Sequence, residues 1–589
     1  MKTISAIAQF LQAVGFSSHF AVTGGAAVHV IDSLDRIGIK AHFTHHEQAA
    51  ALAADAAARL TGFGLCVTTT GPGVTNALTG LLCSWQDSTP TVFISGQSRT
   101  SNLAKGFNVR QSGTQHLDIE PVVKPLTKGF VQILDPRTAF RQIAELLSIS
   151  KSGRPGPIWI DIPLDVQLME IPDEEVQILV ATNLLLSKPT EVDPDRNSLS
   201  RLISDFQESL SSASQPALIL GRGVMDLDRA KLRRLIEELN IPVVTTWGAA
   251  FGEAEMHQNW RGRIGVSGMR GANKLVMSSD CILSIGARWG QSTVGTDLGQ
   301  FAPNASVFVV DVDEIEIRLL ESRRQVRAVV ASSKFVLESL LDAQVRHDGK
   351  SNWIQSTLEY APHLSKEYAS DTESTGNFLD TYHALFVAQN QLNKSGSPNL
   401  NVVVDGGGTI VYCALQRLMP RHGDSLVLAS AAAPMGTGLP HAFGAWVATS
   451  VRTICFVGDG SLMFNIQELQ TLKTHNAELK VFVLSNQGYR SIRSTQDQFL
   501  GGNHLGADAE GGLEIPSIKS IADSYGINFC RIQTENELVQ WANMARPGLE
   551  IIELMVNPDQ VLHPRVAFRV TAEGTYKAAP LDDMDPILT

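Results

Sequence analysis

The stretch Gly458–Tyr489, GDGSLMFNIQELQTLKTHNAELKVFVLSNQGY, decides the fold of the last third of the chain. It begins at the end of an apolar run typical of a buried strand, passes through an amphipathic helix that should start near Leu462, and ends after a second apolar run. This order predicts two neighbouring parallel strands joined by a helix. Asp459 and Asn486 should then lie together at the carboxyl ends of these strands, where open α/β sheets bind ligands.

The residues predicted at these strand ends suit a metal ion and a phosphate group. Asp459 and Asn486 offer the hard oxygen ligands that Mg²⁺ prefers. The small residues Gly458, Gly460 and Ser461 would let backbone amides approach a diphosphate, and the following helix adds its positive N-terminal end. Gly-Asp-Gly alone is equally well explained as an ordinary turn. The complete strand, turn, helix and strand arrangement is far less often accidental.

A second candidate segment lies just upstream, AAAPMGTGLPHAFG at Ala431–Gly444. Its small residues surround one bulky apolar side chain, Met435, which Gly436 follows. A core methionine at the entry of a helix is the alternative interpretation, because methionine fills irregular gaps well. The segment therefore becomes a site candidate only in combination with the motif that follows it.

The first part of the chain carries a carboxylate between a strand and an alanine-rich helix, in AHFTHHEQAAALAADAAARLTG. Glu47 at this position is equally well explained as a residue that interacts favourably with the helix dipole. Further along, TTTGPGVTNALTG predicts a glycine turn at Gly71–Gly73, followed by a helix that carries Asn76. These two segments mark a second candidate site, far in sequence from the first.

Strands alternate with helices in three stretches, which predicts an α/β protein with three doubly wound parallel-sheet domains. The predicted domains cover residues 1–170, 190–345 and 377–560, and a tail rich in proline and acidic residues follows at 561–589. The first and third stretches are similar in size and pattern, although no literal sequence repeat is visible.

Taken together, these motifs resemble the acetolactate synthase-like family, whose members use thiamine diphosphate (ThDP) to decarboxylate 2-oxo acids. The resemblance covers roughly residues 1–560. It implies that Asp459, Asn486 and the backbone carbonyl of Gly488 hold Mg²⁺ beside the diphosphate. It also implies that Met435 and Gly436 bend the cofactor into a V shape. The family usually ends the motif with Asn-Asn, and this chain has Ser-Asn.

The same resemblance assigns roles in the first domain. Glu47 would hydrogen-bond N1′ of the aminopyrimidine ring, which activates the cofactor, and Asn76 lies on the next helix of that site. The turn at Gly25 would face the reacting carbon, with His29 on the pocket wall. Gln115 would lie near the bound intermediate, although the family usually has Glu after this Gln and this chain has His.

The middle stretch contains LILGRGV, VVTTW, LSIGARW and VVDVD at predicted strand ends, which resemble the FAD-binding middle domain of the same family. The GRG turn lacks the third glycine of a dinucleotide fingerprint. Relatives without flavin share the fold, so a structural domain that binds no flavin is the alternative. The resemblance implies FAD contacts from five residues: Arg222, Thr246, Gly286, Arg288 and Asp311.

The bulk properties narrow the class of protein. A formal net charge of −12 argues against a nucleic-acid partner, which requires a basic surface. No window approaches the roughly 18 uninterrupted apolar residues of a membrane span. The six cysteines lie far apart without metal-ligand spacing, which favours buried free thiols in a cytoplasmic protein.

The leading hypothesis is a carboligase that decarboxylates a 2-oxo acid, expected to be pyruvate, and transfers the acyl anion equivalent to a carbonyl acceptor. Alternatives are acetolactate synthase proper, a flavin-dependent pyruvate oxidase, and a non-catalytic cofactor-binding paralogue. Several segments look closest to a branch of YerE-like acetyltransferases, which implies an acceptor larger than pyruvate. Family geometry implies a homodimer or homotetramer with sites between chains.

Overall fold

Apolar, β-branched runs that end in small residues form the strands of this protein, as the computed structural model shows. The model describes residues 1–103, 109–191, 194–347, 352–362, 378–394, 399–419, 421–544, 546–570 and 576–586. These residues form three six-stranded parallel sheets flanked by helices, which confirms the predicted fold class. The predicted start of the third domain, residue 377, lies outside the described residues, and the other domain boundaries stay predictions.

The first sheet has the strand order β2-β1-β3-β4-β6-β5. Strands β1–β6 are Ser18–Ala21, Lys40–Phe43, Gly64–Thr68, Thr91–Gln97, Gly129–Gln132 and Ile158–Pro163. Helices α1–α8 are Thr3–Val14, Val28–Arg36, Glu47–Thr61, Pro72–Gln86, Glu120–Val123, Pro136–Lys151, Leu164–Leu168 and Asp173–Leu184.

The middle sheet has the order β12-β11-β10-β7-β8-β9, the doubly wound order of dinucleotide-binding domains. Strands β7–β12 are Pro216–Leu220, Val243–Thr245, Trp260–Arg263, Cys281–Ile285, Ser306–Asp311 and Arg327–Val330. Helices α9–α15 are Arg196–Ser212, Arg229–Leu239, Arg270–Ser278, Gln291–Val294, Glu314–Glu321, Ser333–Asp342 and Trp353–Ser356.

The third sheet has the order β14-β13-β15-β16-β18-β17, the same topology as the first. Strands β13–β18 are Asn401–Val404, Ser425–Val427, Thr453–Gly458, Leu479–Ser485, Asn528–Ile532 and Glu550–Met555. Helices α16–α23 are Thr381–Lys394, Gly408–Arg417, Gly438–Thr449, Asp459–Leu462, Glu468–Thr474, Arg490–Phe499, Ile518–Tyr525 and Glu535–Ala542.

The first and third domains share one hydrophobic core, because helix α3 packs directly on helix α18. Ten consecutive residues of α3, from Ala49 to Ala58, are buried, and eight of the ten are alanine. A Cβ atom on Gly444 of α18 would overlap the backbone of Ala53. The small side chains on both helices therefore permit an unusually close helix contact.

The tail has more structure than its composition suggests. Strand β19, Arg565–Val566, pairs antiparallel with β22, Met584–Asp585, and β20, Phe568–Val570, pairs antiparallel with β21, Tyr576–Ala578. The tail packs against the middle domain, where the Asn273 side-chain amide donates to the Leu581 carbonyl at 3.1 Å. Within the described residues, no helix has both the length and the apolar character needed to cross a membrane.

Candidate active site

A buried carboxylate at the end of β15 organises the third-domain site. Asp459 is 1% exposed, and its Oδ2 accepts hydrogen bonds from the amides of Asn486 at 3.0 Å and Gln487 at 2.8 Å. Its Oδ1 accepts the Gly460 amide at 2.7 Å. Burial raises the pKa of Asp459 to about 6, and these amides oppose the rise. The strands therefore bring Asp459 and Asn486 together, as their predicted positions require.

The side chain of Asn486 presents a buried oxygen that is suited to binding a ligand. It is 5% exposed, and its Oδ1 is buried without a hydrogen-bond partner within the described part of the chain. A buried amide oxygen without a partner costs about 1–3 kcal/mol, so such atoms ordinarily face a ligand or water. Among the described residues, no group of three His, Cys, Asp or Glu could hold a metal. A cation here would therefore need amide or carbonyl oxygens.

Glycines shape the backbone around this carboxylate. Gly488 has φ +121°, and a Cβ on it would overlap the carbonyl of Ala507. A Cβ on Gly460 would overlap the ring of Tyr489. Both positions therefore require glycine, because a side chain at either one would overlap its neighbours. The structure corrects one prediction here: where a single helix from near Leu462 was expected, a short helix covers Asp459–Leu462 and a separate helix follows at Glu468–Thr474.

The segment that carries Met435 is anchored to the same site. Gly436 has φ +85°, and its carbonyl accepts a hydrogen bond from the Asn465 side-chain amide at 2.7 Å. Met435 is half-buried, and a Cβ on Gly436 would overlap Phe464. The Met435 turn therefore packs against the residues that follow Asp459, Gly460 and Ser461.

The first-domain candidates lie together at the amino-terminal ends of α3 and α4. Glu47 is the first residue of α3, and its Oε2 accepts a hydrogen bond from the Asn76 amide at 2.9 Å. A Cβ on Gly73 would lie 3.6 Å from Glu47 Oε1 and 3.0 Å from Thr69 Cγ2. The glycine turn before α4 thus keeps the space beside the Glu47 carboxylate open.

Gln115 and Gly25 lie on either side of this turn. A Cβ on Gly71 would overlap the carbonyl of Gln115, whose own φ is +56°. On the other side, a Cβ on Gly24 would lie 2.5 Å from Thr69 Cβ, whereas nothing lies within 4 Å of a Cβ built on Gly25. Gly24 is therefore needed for packing, and Gly25 borders open space.

The remaining first-domain candidate, His29, lies in the first turn of α2 and is half-buried. Gly25 lies four residues earlier, in the turn that leads from β1 into α2. The place of His29 on a pocket wall stays a prediction.

The five middle-domain candidates follow strands β7, β8, β10 and β11. The turns at Gly221–Gly223 and Gly286 touch, since the Gly223 amide donates to the Gly286 carbonyl at 3.0 Å. Thr246 is 7% exposed, and its amide donates to the carbonyl of Leu220 at 3.0 Å. The structure therefore gathers these candidates at one edge of the sheet.

Two of the middle-domain candidates line a common pocket, Arg288 and Asp311, together with Trp289. Burial raises the pKa of Asp311, while the Asp313 amide donates to it at 2.9 Å. Burial also lowers the pKa of Arg222. The pocket has charges of both signs and an aromatic wall.

Comparisons with known proteins identify the family of this chain. Three family models match in order: the N-terminal TPP binding domain of thiamine pyrophosphate enzymes at residues 1–122, the central domain at 203–340, and the C-terminal TPP binding domain at 406–550. Thiamine pyrophosphate is another name for ThDP. The acetolactate synthase large subunit of Cyanidium caldarium is 30% identical over 560 residues, which cover 93% of this chain and 92% of that protein.

The chain belongs to the acetolactate synthase-like family of ThDP enzymes. The large subunit of acetolactate synthase isozyme 2 from Escherichia coli strain K12 is 30% identical over 532 residues, which cover 90% of each chain. A probable acetolactate synthase large subunit from Methanocaldococcus jannaschii is 29% identical over 580 residues, 95% of this chain and 93% of that one. The protein is therefore a ThDP-dependent enzyme.

In this ThDP enzyme, Glu47 and the residues that follow the Met435 turn lie at different levels along helix α3. Helices α3 and α4 run parallel, with Glu47 beside Asn76 at one end and Asp55 bonded to Ser84 Oγ at 2.8 Å further along. His441, which follows the Met435 turn, lies 3.2 Å from Asp55. Eight residues of helix, about 12 Å, separate the level of Glu47 from that of Asp55.

Sequence reasoning missed Asp405, which the structure places beneath the ThDP motif. This carboxylate is fully buried and accepts the amides of Gly407 at 2.9 Å and Gly438 at 2.8 Å, together with the Ser461 hydroxyl. The same clue that marked Asp459 was present, an aspartate between a buried strand and glycines, in NVVVDGGG. Asp405 ties three loops of the third domain together.

Proposed function

We propose that this enzyme decarboxylates pyruvate and transfers the acyl group to a carbonyl acceptor. When bound, ThDP supplies the carbon nucleophile and the electron sink for this chemistry. The observation that carries the proposal is the buried Asp459, which accepts backbone amides beside the unpartnered Asn486 oxygen. The same chain keeps Glu47 at the start of a helix, where it accepts a hydrogen bond from Asn76. A non-catalytic paralogue would have no need of all three.

The proposed metal is Mg²⁺, held by Asp459 Oδ1, Asn486 Oδ1 and the Gly488 carbonyl. The donor set fits, because all three are hard oxygens and one of them lacks a partner. The diphosphate would lie against the residues of Gly458–Ser461, where small side chains leave room for it.

The proposed role of Glu47 is to hold a proton at N1′ of the aminopyrimidine ring. Its Oε2 is fixed by the Asn76 amide, while Oε1 faces the space that Gly73 leaves open. Gln115 and Gly25 would border the same space and contact the substrates. A carboxylate whose one oxygen accepts a hydrogen bond, while the other is free, is suited to proton transfer through the free oxygen.

The proposed active unit is a dimer of two identical chains. Glu47 and the residues after the Met435 turn contact α3 at different levels, which favours a site shared between two chains. A two-fold axis would place the Glu47 end of one protomer against the third domain of its partner, which forms two equal sites.

The proposed second cofactor is FAD in the middle domain. Arg222, Thr246, Gly286, Arg288 and Asp311 lie at one edge of a sheet with the dinucleotide-binding strand order. The two glycine turns pack against each other at the edge where sheets of this order bind their ligand. Asp311 is placed to accept hydrogen bonds from hydroxyl groups of the cofactor.

The proposed acceptor is a ketone larger than pyruvate. The turn Gly24–Ala27 contains only small residues, and Gly25 borders open space. Competition between pyruvate and a panel of ketones, including nucleotide-linked ketosugars, tests this directly. If acetolactate dominates against every larger ketone, the enzyme is an acetolactate synthase like its named relatives.

A variant sharpens the competition experiment. Gly25→Ile adds a side chain in the open space without meeting a neighbour within 4 Å at its Cβ. It should lower the use of large ketones relative to pyruvate by about tenfold, since acceptor discrimination depends on contacts in the transition state. An unchanged product ratio would place the acceptor elsewhere.

A further inference from the structure

The carboxylate of Asp87 joins the first domain to the third. Asp87 follows the last residue of α4, and its side chain is 7% exposed. Its Oδ2 accepts the Ser430 amide at 2.8 Å, and its Oδ1 accepts the Ser430 hydroxyl and the Ala431 amide, both at 3.0 Å. A first-domain side chain therefore holds the backbone that leads into the Met435 turn.

A buried arginine completes this clasp. Arg59 donates to Asp87 Oδ2 at 3.0 Å, to Asp55 Oδ2 at 2.6 Å and to the carbonyl of Leu428 at 2.9 Å. Burial alone would lower the pKa of Arg59, but Asp55 and Asp87 outweigh it and hold that pKa above its ordinary value. The arginine therefore stays charged, and the segment 428–431 is held at three successive points.

The turn that follows needs such an anchor. Ala433 has φ +44°, a left-handed conformation that is unfavourable for alanine, and Gly436 has φ +85°. Strained backbone of this kind persists only where the surroundings determine it. Downstream, Asn465 fixes the Gly436 carbonyl. Upstream, Asp87 and Arg59 hold residues 428–431.

We propose that Asp87 is a positioning residue that holds the Met435 turn in the shape that bends ThDP for reaction. The inference rests on the proposed function, and it adds a first-domain residue to the cofactor site of the same chain. Asp87 lies at the far end of α4 from Asn76, so it acts through residues 428–436 and not through Glu47.

The test is Asp87→Asn in the full-length holoenzyme. Asparagine has one acceptor oxygen and would turn its NH₂ group toward two donors, so the clasp opens on one side. We expect ThDP to bind about tenfold more weakly and, at saturating ThDP, proton exchange at C2 of the bound cofactor to slow by about tenfold. Wild-type values for both quantities would overturn the proposal.

The matched control is Asp280→Asn in the middle domain. Asp280 accepts the amides of Ser214 at 2.7 Å and Gln215 at 3.0 Å, a similar clasp away from the cofactor site. A loss of thermal stability similar to that of Asp87→Asn, with unchanged C2 exchange, separates positioning from general destabilisation. Slower C2 exchange in this control would also contradict the proposal.

Two further variants keep the proposal testable if Asp87→Asn does not fold. Ser430→Ala removes one bond to Asp87 and should weaken ThDP binding about threefold. Met435→Ala removes the side chain through which Asp87 is proposed to act, so adding Asp87→Asn or Ser430→Ala should slow C2 exchange no further. Wild-type ThDP affinity in folded Ser430→Ala, or additive losses, would overturn the proposal. A different outcome would refute the proposed function: an unmutated enzyme that exchanges the C2 proton of ThDP but forms no product from pyruvate.

Discussion

The first and third domains have the same strand order, but the turns at the end of their third strands differ in charge. In each, the third strand of the sheet ends in a glycine-containing turn that opens a helix, after β3 in the first domain and after β15 in the third. In the third domain this position holds the buried Asp459, caught by backbone amides. In the first domain it holds Thr69–Gly73, which carries no charge and leaves a space.

The difference shows how one topology serves two halves of a cofactor site. Topology fixes where a ligand lies, at the carboxyl edge of the sheet. Side chains then decide what is bound there. A buried carboxylate with an amide oxygen beside it suits a metal and a diphosphate. In the first domain the glycine turn is uncharged, and the nearby carboxylate of Glu47, after β2, is the one proposed to exchange a proton with the cofactor ring.

The largest expected effect comes from removing the third-domain charge. Asp459→Ala leaves the amides of residues 486–488 without their acceptor and removes the proposed metal ligand. Activity should fall by at least about a thousandfold, the upper range for one preorganised group. Bound ThDP and Mg²⁺, measured after desalting, should be lost. Full activity with Mg²⁺ still bound would contradict the assignment.

The corresponding change in the first domain should affect turnover but not binding. Glu47→Gln keeps the size of the side chain and its bond to Asn76 but cannot transfer the proton. We expect kcat to fall at least about a hundredfold at saturating ThDP, with ThDP affinity nearly unchanged. Asn76→Asp is a useful comparison, because it places a second carboxylate beside the first. Near-normal turnover in Glu47→Gln would rule out its role.

The middle domain, with a different strand order, should be separable from both outer domains. Replacing Arg288 and Asp311 by Ala removes two charges from one pocket. Flavin retention should fall about tenfold while ThDP affinity stays within about twofold, because distant sites contribute independently. Lys231→Ala, which removes an exposed charge paired with Glu338 at 2.8 Å, is the control. Equal losses of ThDP and flavin would show that the domains do not act separately.

The last prediction concerns a partial recovery of activity. Mixed Glu47→Gln and Asp459→Ala chains should form hybrid dimers in which one of two sites is intact. With equal mixing, half the dimers are hybrids, so activity should reach about a quarter of the wild-type value. The measurement needs proof of subunit exchange, for example from differently tagged chains. Exchange without recovery would mean that each site forms within a single chain.

The sequence predicted those features that depend on local pattern. Apolar runs between glycines located the main strands, and the rule for parallel sheets brought Asp459 and Asn486 together. The helix start was wrong, because the segment after β15 forms a short helix at Asp459–Leu462 and a separate helix at Glu468–Thr474, where one helix from near Leu462 was expected.

Contacts between distant segments were beyond sequence reasoning. Asp87 meets Ser430, and Asn465 meets Gly436, through packing that no local pattern reports. The alanine run of α3 looked like a helix of ordinary low complexity. Its purpose, a close contact with Gly444, follows only once the third domain is in place. The role of Gly24 also depends on a contact between distant segments, because a Cβ there would overlap the side chain of Thr69.

The contact between Ala53 and Gly444 also has a consequence for biosynthesis. Roughly 390 residues separate the two, and ribosomes add about 5–20 residues per second, so α3 emerges roughly 20–80 s before its partner helix. For that time its alanine face has no cover, and the first domain cannot complete its core. We expect a nascent chain released before residue 444 to bind chaperones and to be cleaved readily by proteases, whereas a chain long enough to complete the third sheet gains protection in one step.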